Sequence, residues 1–148
     1  WFHSLYMEDW PLYVLNSQYG KIGCLNEVMG AYRIHSGGIW SNLKEISTYL
    51  ERIKFYKWVD THLKYNFHDI IKKRLDDHYL KLVHLYEDHG NIPMARSYAM
   101  KSLTLFHLDK NIPDQVRYLS KMKLTIKLYF PSFYRVLREI YISFTKYL

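Results

Sequence analysis

His89-Gly90-Asn91-Ile92-Pro93-Met94-Ala95-Arg96-Ser97-Tyr98-Ala99 decides what kind of fold this chain adopts. Glycine at the end of an apolar-periodic segment is a natural helix stop. An Asn followed two residues later by Pro is a natural start, because proline in the first turn forfeits no hydrogen bond the helix needs. The stretch therefore predicts a corner between two helices. Upstream, Ile70, Leu75, Leu80, Leu82, Val83 and Tyr86 carry the helical period to about Asp88. Downstream, Ala95, Tyr98, Ala99, Ser102, Leu103 and Phe106 do the same, with small residues at 95 and 99 that let two helices approach closely.

The same punctuation recurs outward from that corner. Asn111-Ile112-Pro113 predicts another helix start, followed by Val116, Leu119, Met122 and Ile126, and Pro131 opens a last segment with Phe133, Tyr134, Leu137, Ile140, Tyr141 and Phe144. Toward the N-terminus, Asn42 with Glu45 has the form of a capping box ahead of the stripe Ile46, Tyr49, Leu50, Ile53, Tyr56 and Val59. A break near Tyr65-Asn66 precedes a second capping pair, Asn66 with Asp69. Asp76-Asp77 reads as a solvated helix face. Tyr79, Leu82, Tyr86, Gly90, Ala95 and Ala99 sit at spacings that resemble one tetratricopeptide hairpin, near residues 75–107. Stacked repeats need neighbours, so the flanking helices are expected to complete its core.

From Asn42 onward Gly90 is the only glycine. That shift in composition places a domain boundary at about residue 41, between a mixed segment and a helical one, 42–148. In the first segment, Leu12, Leu15 and Tyr19 predict a helix over 9–19 with Gly20 as its stop. Glu8 and Asp9 open it, where unpaired backbone amides favour a carboxylate and aim it outward. A short strand is expected at 22–25, with Cys24 as a small core residue. A second, 28–35, alternates Val28, Gly30, Tyr32, Ile34 against Met29, Ala31, Arg33, His35 and runs into Gly37-Gly38. The fold class expected is thus mainly α: a short helix and a β-hairpin remnant of an α/β domain, followed by a helical-hairpin bundle.

The order EDWPL (8–12), then GKIG (20–23), then EVMGAYRIHSGG (27–38) resembles the C-terminal end of the catalytic domain of a GT-A, family 2 glycosyltransferase. The likeness covers about a quarter of the chain. It implies that residues 1–41 are the incomplete end of a domain that transfers a sugar, with inversion, from a nucleotide-sugar donor to a hydroxyl of a glycan or lipid-linked acceptor. Such chemistry belongs to bacterial surface polysaccharide or glycan synthesis. By the same resemblance Asp9 is the catalytic base, with Glu8 beside it, since an alcohol attacks poorly until a positioned carboxylate takes its proton. Arg33 would steady the donor diphosphate and His35 would ligate the divalent cation (Mn or Mg), while Trp40 would either pack over substrate or serve as a buried anchor for the first helix.

The chain departs from the family in having no Asp-x-Asp metal motif and no glycine-rich nucleotide segment. It is therefore expected to be a fragment of a longer protein, inactive alone and without a cofactor of its own. A non-enzymatic helical interaction module is the alternative.

Composition limits the rest. Nearly half of the 148 residues are apolar and 18% are aromatic, which argues against disorder. A chain of this length buries roughly two-thirds of its unfolded surface. A single cysteine excludes an internal disulfide and fits a cytoplasmic setting. The net charge of +7 is uneven: residues 101–148 hold nine basic and three acidic groups, whereas residues 1–50 hold three and four. Nucleic acid is not the expected partner, because Lys121, Lys123, Lys127, Arg135 and Arg138 belong to no recognised nucleic-acid motif. Two readings stand for 131–148: its apolar stripe closes the helical core, or it lies peripherally on the inner face of an anionic membrane.

Overall fold

A computed structural model describes residues 9–31, 35–38, 44–105 and 112–145 of the chain. Six helices account for most of them: α1 (Asp9–Ser17), α2 (Glu45–His62), α3 (His68–Asp88), α4 (Ile92–Thr104), α5 (Ile112–Tyr129) and α6 (Pro131–Thr145). The fold is mainly α. Two compact units divide it, residues 1–71 and 72–148. The boundary expected near residue 41 lies among residues outside the described set.

No strand occurs among the described residues, so the expected β-hairpin is not there. An isolated hairpin is marginal in water and needs a third strand or a covering helix. None covers this one: Ile22, Leu25, Val28 and Met29 are all exposed, Val28 almost completely at 99%. Cys24, expected in a strand core, is likewise exposed. Residues 32–34 lie outside the described set. Helix α1 ends at Ser17 rather than running to 19. Ser17 Oγ donates to the Val14 carbonyl at 2.8 Å, and no left-handed glycine is used, since Gly90 is the one described glycine with positive φ.

In the first unit, Trp10 of α1 meets Phe55 of α2 edge-on, with ring centroids 5.5 Å apart. Ile53, Phe55 and Val59 are buried on α2. That helix begins at Glu45 behind Lys44, which makes no side-chain capping bond; Asn42, the expected cap, is outside the described residues. Its C-terminal corner uses two consecutive non-glycine residues in the left-handed region, Lys64 (φ 51°) and Tyr65 (φ 62°). The Tyr65 amide donates back to the Asp60 carbonyl at 2.8 Å, and His68 Nδ1 donates to the buried Asp60 carboxylate at 2.8 Å. A side-chain bond across the turn thus helps hold a backbone conformation that costs roughly 1–2 kcal/mol per residue.

The second unit is built around the predicted corner. Gly90 takes φ +69°, and Asn91 Oδ1 accepts from the Met94 amide at 3.3 Å, so stop and cap are both as their residue types dictate. Leu82, Val83, Ala95 and Ala99 are essentially inaccessible to solvent. Tyr98 lies between two rings of α3, stacked on Tyr86 at 5.6 Å and tilted against Tyr79 at 5.8 Å. Removal from water pushes the Tyr79 and Tyr98 hydroxyls above the usual tyrosine range, with neighbouring phenols adding to the effect at Tyr98. Ile70, expected on the inner stripe of α3, is exposed, and the buried apolar positions there are Ile71, Leu75, Tyr79, Leu82 and Val83.

Helices α5 and α6 follow as the Pro113 and Pro131 signals require. Of the α6 stripe, Phe133, Leu137 and Ile140 are exposed, so these positions do not close a core, while the side chains of Tyr141 and Phe144 lie outside the described set. No helix among the described residues is long and apolar enough to cross a membrane.

Candidate functional site

Asp9 is the first residue of α1, and its side chain is exposed. The position suits a carboxylate, because the first-turn amides have no intrahelical partners and the helix dipole is positive there. Pro11, in the same turn, is buried and fixes the helix start, and Trp10 anchors it against Phe55. The aromatic series continues along α2: Phe55 stacks on Trp58 at 6.5 Å, and Trp58 stacks on His62 at 4.8 Å with the planes 17° apart. Gln18, just past the end of α1, brings its amide nitrogen to 3.5 Å from His62 Nε2.

Of the other expected site residues, His35 is described and exposed. It lies in a turn closed by the Gly38 amide donating to its carbonyl at 3.1 Å. A side chain at Gly37 would come within 3.3 Å of His35 Nδ1, so glycine there gives the imidazole its room. Glu8, Arg33 and Trp40 lie outside the described residues. Asp9 and His35 share no hydrogen bond or ion pair with each other, and no group of three potential metal ligands occurs among the described residues.

The second unit holds a buried polar cluster that the sequence did not announce. Asp76 is fully buried, not solvated as its pairing with exposed Asp77 suggested. Its Oδ1 accepts from Ser102 Oγ at 2.5 Å, and Lys121 Nζ sits 2.7 Å from Oδ2. Ser102 is 0% and Lys121 3% exposed, so Lys121 does not contribute to a basic surface. One carboxylate thereby joins α3, α4 and α5. With solvent excluded from all three residues, the cluster serves packing, because a reacting group needs access to substrate. The available signal was positional. Asp76 is seven residues before Val83, Ser102 is three after Ala99, and Lys121 is seven before Leu128, each on its helix's inner stripe.

At the far end of this unit, α5 and α6 diverge around an open apolar groove of about 440 Å³ beside a second pocket of about 490 Å³ rich in Arg and Lys. Compared with known proteins, the chain matches no family model, no curated protein and no solved structure.

Proposed function

We propose that residues 1–41 are the acceptor-side end of a nucleotide-sugar-dependent, inverting glycosyltransferase, with Asp9 as the base. The observation that carries this reading is the placement of Asp9: exposed, in a helix first turn, beside a tryptophan held against Phe55. A single carboxylate suffices for such a displacement. It takes the acceptor hydroxyl proton as that oxygen attacks the anomeric carbon, and the nucleoside diphosphate departs from the opposite face. Arg33, Trp40 and Glu8 keep the roles the resemblance implies, and His35 with a divalent cation would serve the donor diphosphate in the intact enzyme. The setting proposed is cytoplasmic.

The test is to recover the coding sequence upstream of Trp1 and assay the longer protein for sugar transfer. A strand-rich segment ending in Asp-x-Asp, with donor turnover that Asp9→Asn removes, supports the proposal. An upstream region without such a segment, together with capture of a protein partner by the full chain and no nucleotide-sugar binding, replaces it with the helical interaction module.

A further inference from the structure

The groove and the pocket at the C-terminal end of the second unit share a wall, formed by Tyr134 and Arg138. On one side of it, Leu119, Met122, Ile126 and Leu137 line an open apolar trough. On the other, Arg96, Lys127, Arg135 and Arg138 surround a pocket whose one acidic lining residue among the described residues is Glu87. Lys127 is paired with Glu87 at 2.5 Å, so that acid is already answered. Arg96 is oriented by its own contacts: Nε donates to the Leu128 carbonyl at 2.9 Å, and the guanidinium lies 5.2 Å from the Tyr129 ring centre. Arg135 and Arg138 are exposed and have no ion-pair partner among the described residues. Among the described residues the site therefore offers positive charge in excess of its one acid, directly beside a hydrocarbon-sized trough.

We propose that this end of the helical unit binds a phosphate-bearing lipid at an anionic membrane surface. The headgroup phosphate would sit among Arg96, Arg135 and Arg138, and an acyl chain would lie along the trough. Guanidinium groups suit phosphate because their planar N–H pairs match its oxygens. The apolar surface does not stop at the trough. Phe133, Val136 and Ile140 continue it along α6 as a stripe at i, i+3 and i+7, all close to half exposed or more. A long flat stripe with cations gathered at its edge fits a fluid anionic interface, into which an amphipathic helix sinks its apolar face. An acidic partner helix would instead call for cations spaced along the stripe. The inference is independent of whether residues 1–41 belong to a sugar transferase.

Sedimentation of the full chain with vesicles provides the test, comparing phosphatidylcholine alone with phosphatidylcholine containing phosphatidylserine. Binding is expected with the mixed vesicles only. Since each basic residue near such a surface contributes about fivefold, Arg135→Gln/Arg138→Gln is expected to weaken it roughly 20–30-fold. Leu137→Gln/Ile140→Gln is expected to release the protein as well. All four positions are exposed, so the helical circular dichroism signal is expected to stay unchanged in both variants. Inorganic phosphate at millimolar concentration distinguishes the sources: failure to displace the protein supports a lipid, whereas full displacement would assign the pocket to a free anion and overturn the proposal. Equal binding to both vesicle types overturns it too. So does absence of binding with concentration-dependent dimerisation that the Leu137→Gln/Ile140→Gln variant abolishes, which would make a second copy the occupant.

Discussion

Replacing Lys121 by Met tests the account of the buried cluster directly. Methionine keeps most of the length and volume of the lysine stem, so the substitution removes the charge and leaves the packing nearly intact. What remains is the Asp76 carboxylate, 0% exposed, with its Oδ2 deprived of the ammonium at 2.7 Å and Ser102 Oγ at 2.5 Å on the other oxygen. Breaking a buried pair by removing one partner costs about 3–5 kcal/mol, because the surviving charge is neither solvated nor compensated. For a unit of fewer than 100 residues each kcal/mol moves the melting temperature by about 4–8 °C. A drop of at least ~12 °C is therefore expected, out of a total stability on the order of 5–15 kcal/mol. Thermal unfolding followed by far-ultraviolet circular dichroism measures it. The control is Asp76→Leu/Ser102→Ala/Lys121→Met, which removes all three polar groups and is expected to regain most of the loss, since an apolar replacement of a buried pair is often neutral or stabilising. A Lys121→Met variant within ~1 kcal/mol of the parent would refute the reasoning, for it would mean the ammonium is effectively solvated.

Four further outcomes are expected. Gly90→Ala places a side chain in open space but at φ +69°, so its cost of about 1 kcal/mol is purely conformational; Lys64→Gly at φ 51° is expected to gain a comparable amount, both read from urea midpoints. Because burial raises the Tyr79 and Tyr98 pKa values in the folded state, their contribution is fully present below the ordinary value near 10 and is lost as pH rises past it. Helix content and tyrosinate absorbance are then expected to change together at alkaline pH, and tyrosinate appearing at the ordinary value with helix intact would contradict this. In the longer protein, Asp9→Asn is expected to slow transfer by roughly 10²–10⁴-fold with donor affinity nearly constant. His35→Ala, at an exposed turn, is expected to alter the dependence on Mn or Mg without moving the melting temperature; a large thermal loss with normal metal response would make His35 a structural residue.

The features legible in the sequence were those whose cause is local. Gly90, Asn91 and Pro93 each act within one turn of chain, and the structure places stop, cap and start where those residues put them. Asp76 was not legible because its fate depends on Ser102 and Lys121, 26 and 45 residues further on, while its neighbour Asp77 shares its type and is exposed. The missing hairpin has the opposite origin. Its alternation is sound, but a strand forms only against a partner, and none of the described residues provides one. In the first unit, the geometry adds the contact of Trp10 with Phe55 and the series that runs on through Trp58 to His62. Period-based reading could place Phe55 and Trp58 on a helix but could not bring α1 against them.

The corner at residues 63–67 carries a consequence for assembly. Neither Lys64 nor Tyr65 favours its left-handed backbone, and both are ordinary helix formers, so the state that competes most closely with the bend is an unbent helix through it. Opposing that state are the Tyr65 amide bond to the Asp60 carbonyl and the His68–Asp60 bridge. Short strained hinges of this kind are where chains exchange elements with one another. Loss of the Asp60 carboxylate removes the side-chain bridge across the bend, and any exchange of elements between copies is then expected to show as concentration-dependent dimerisation.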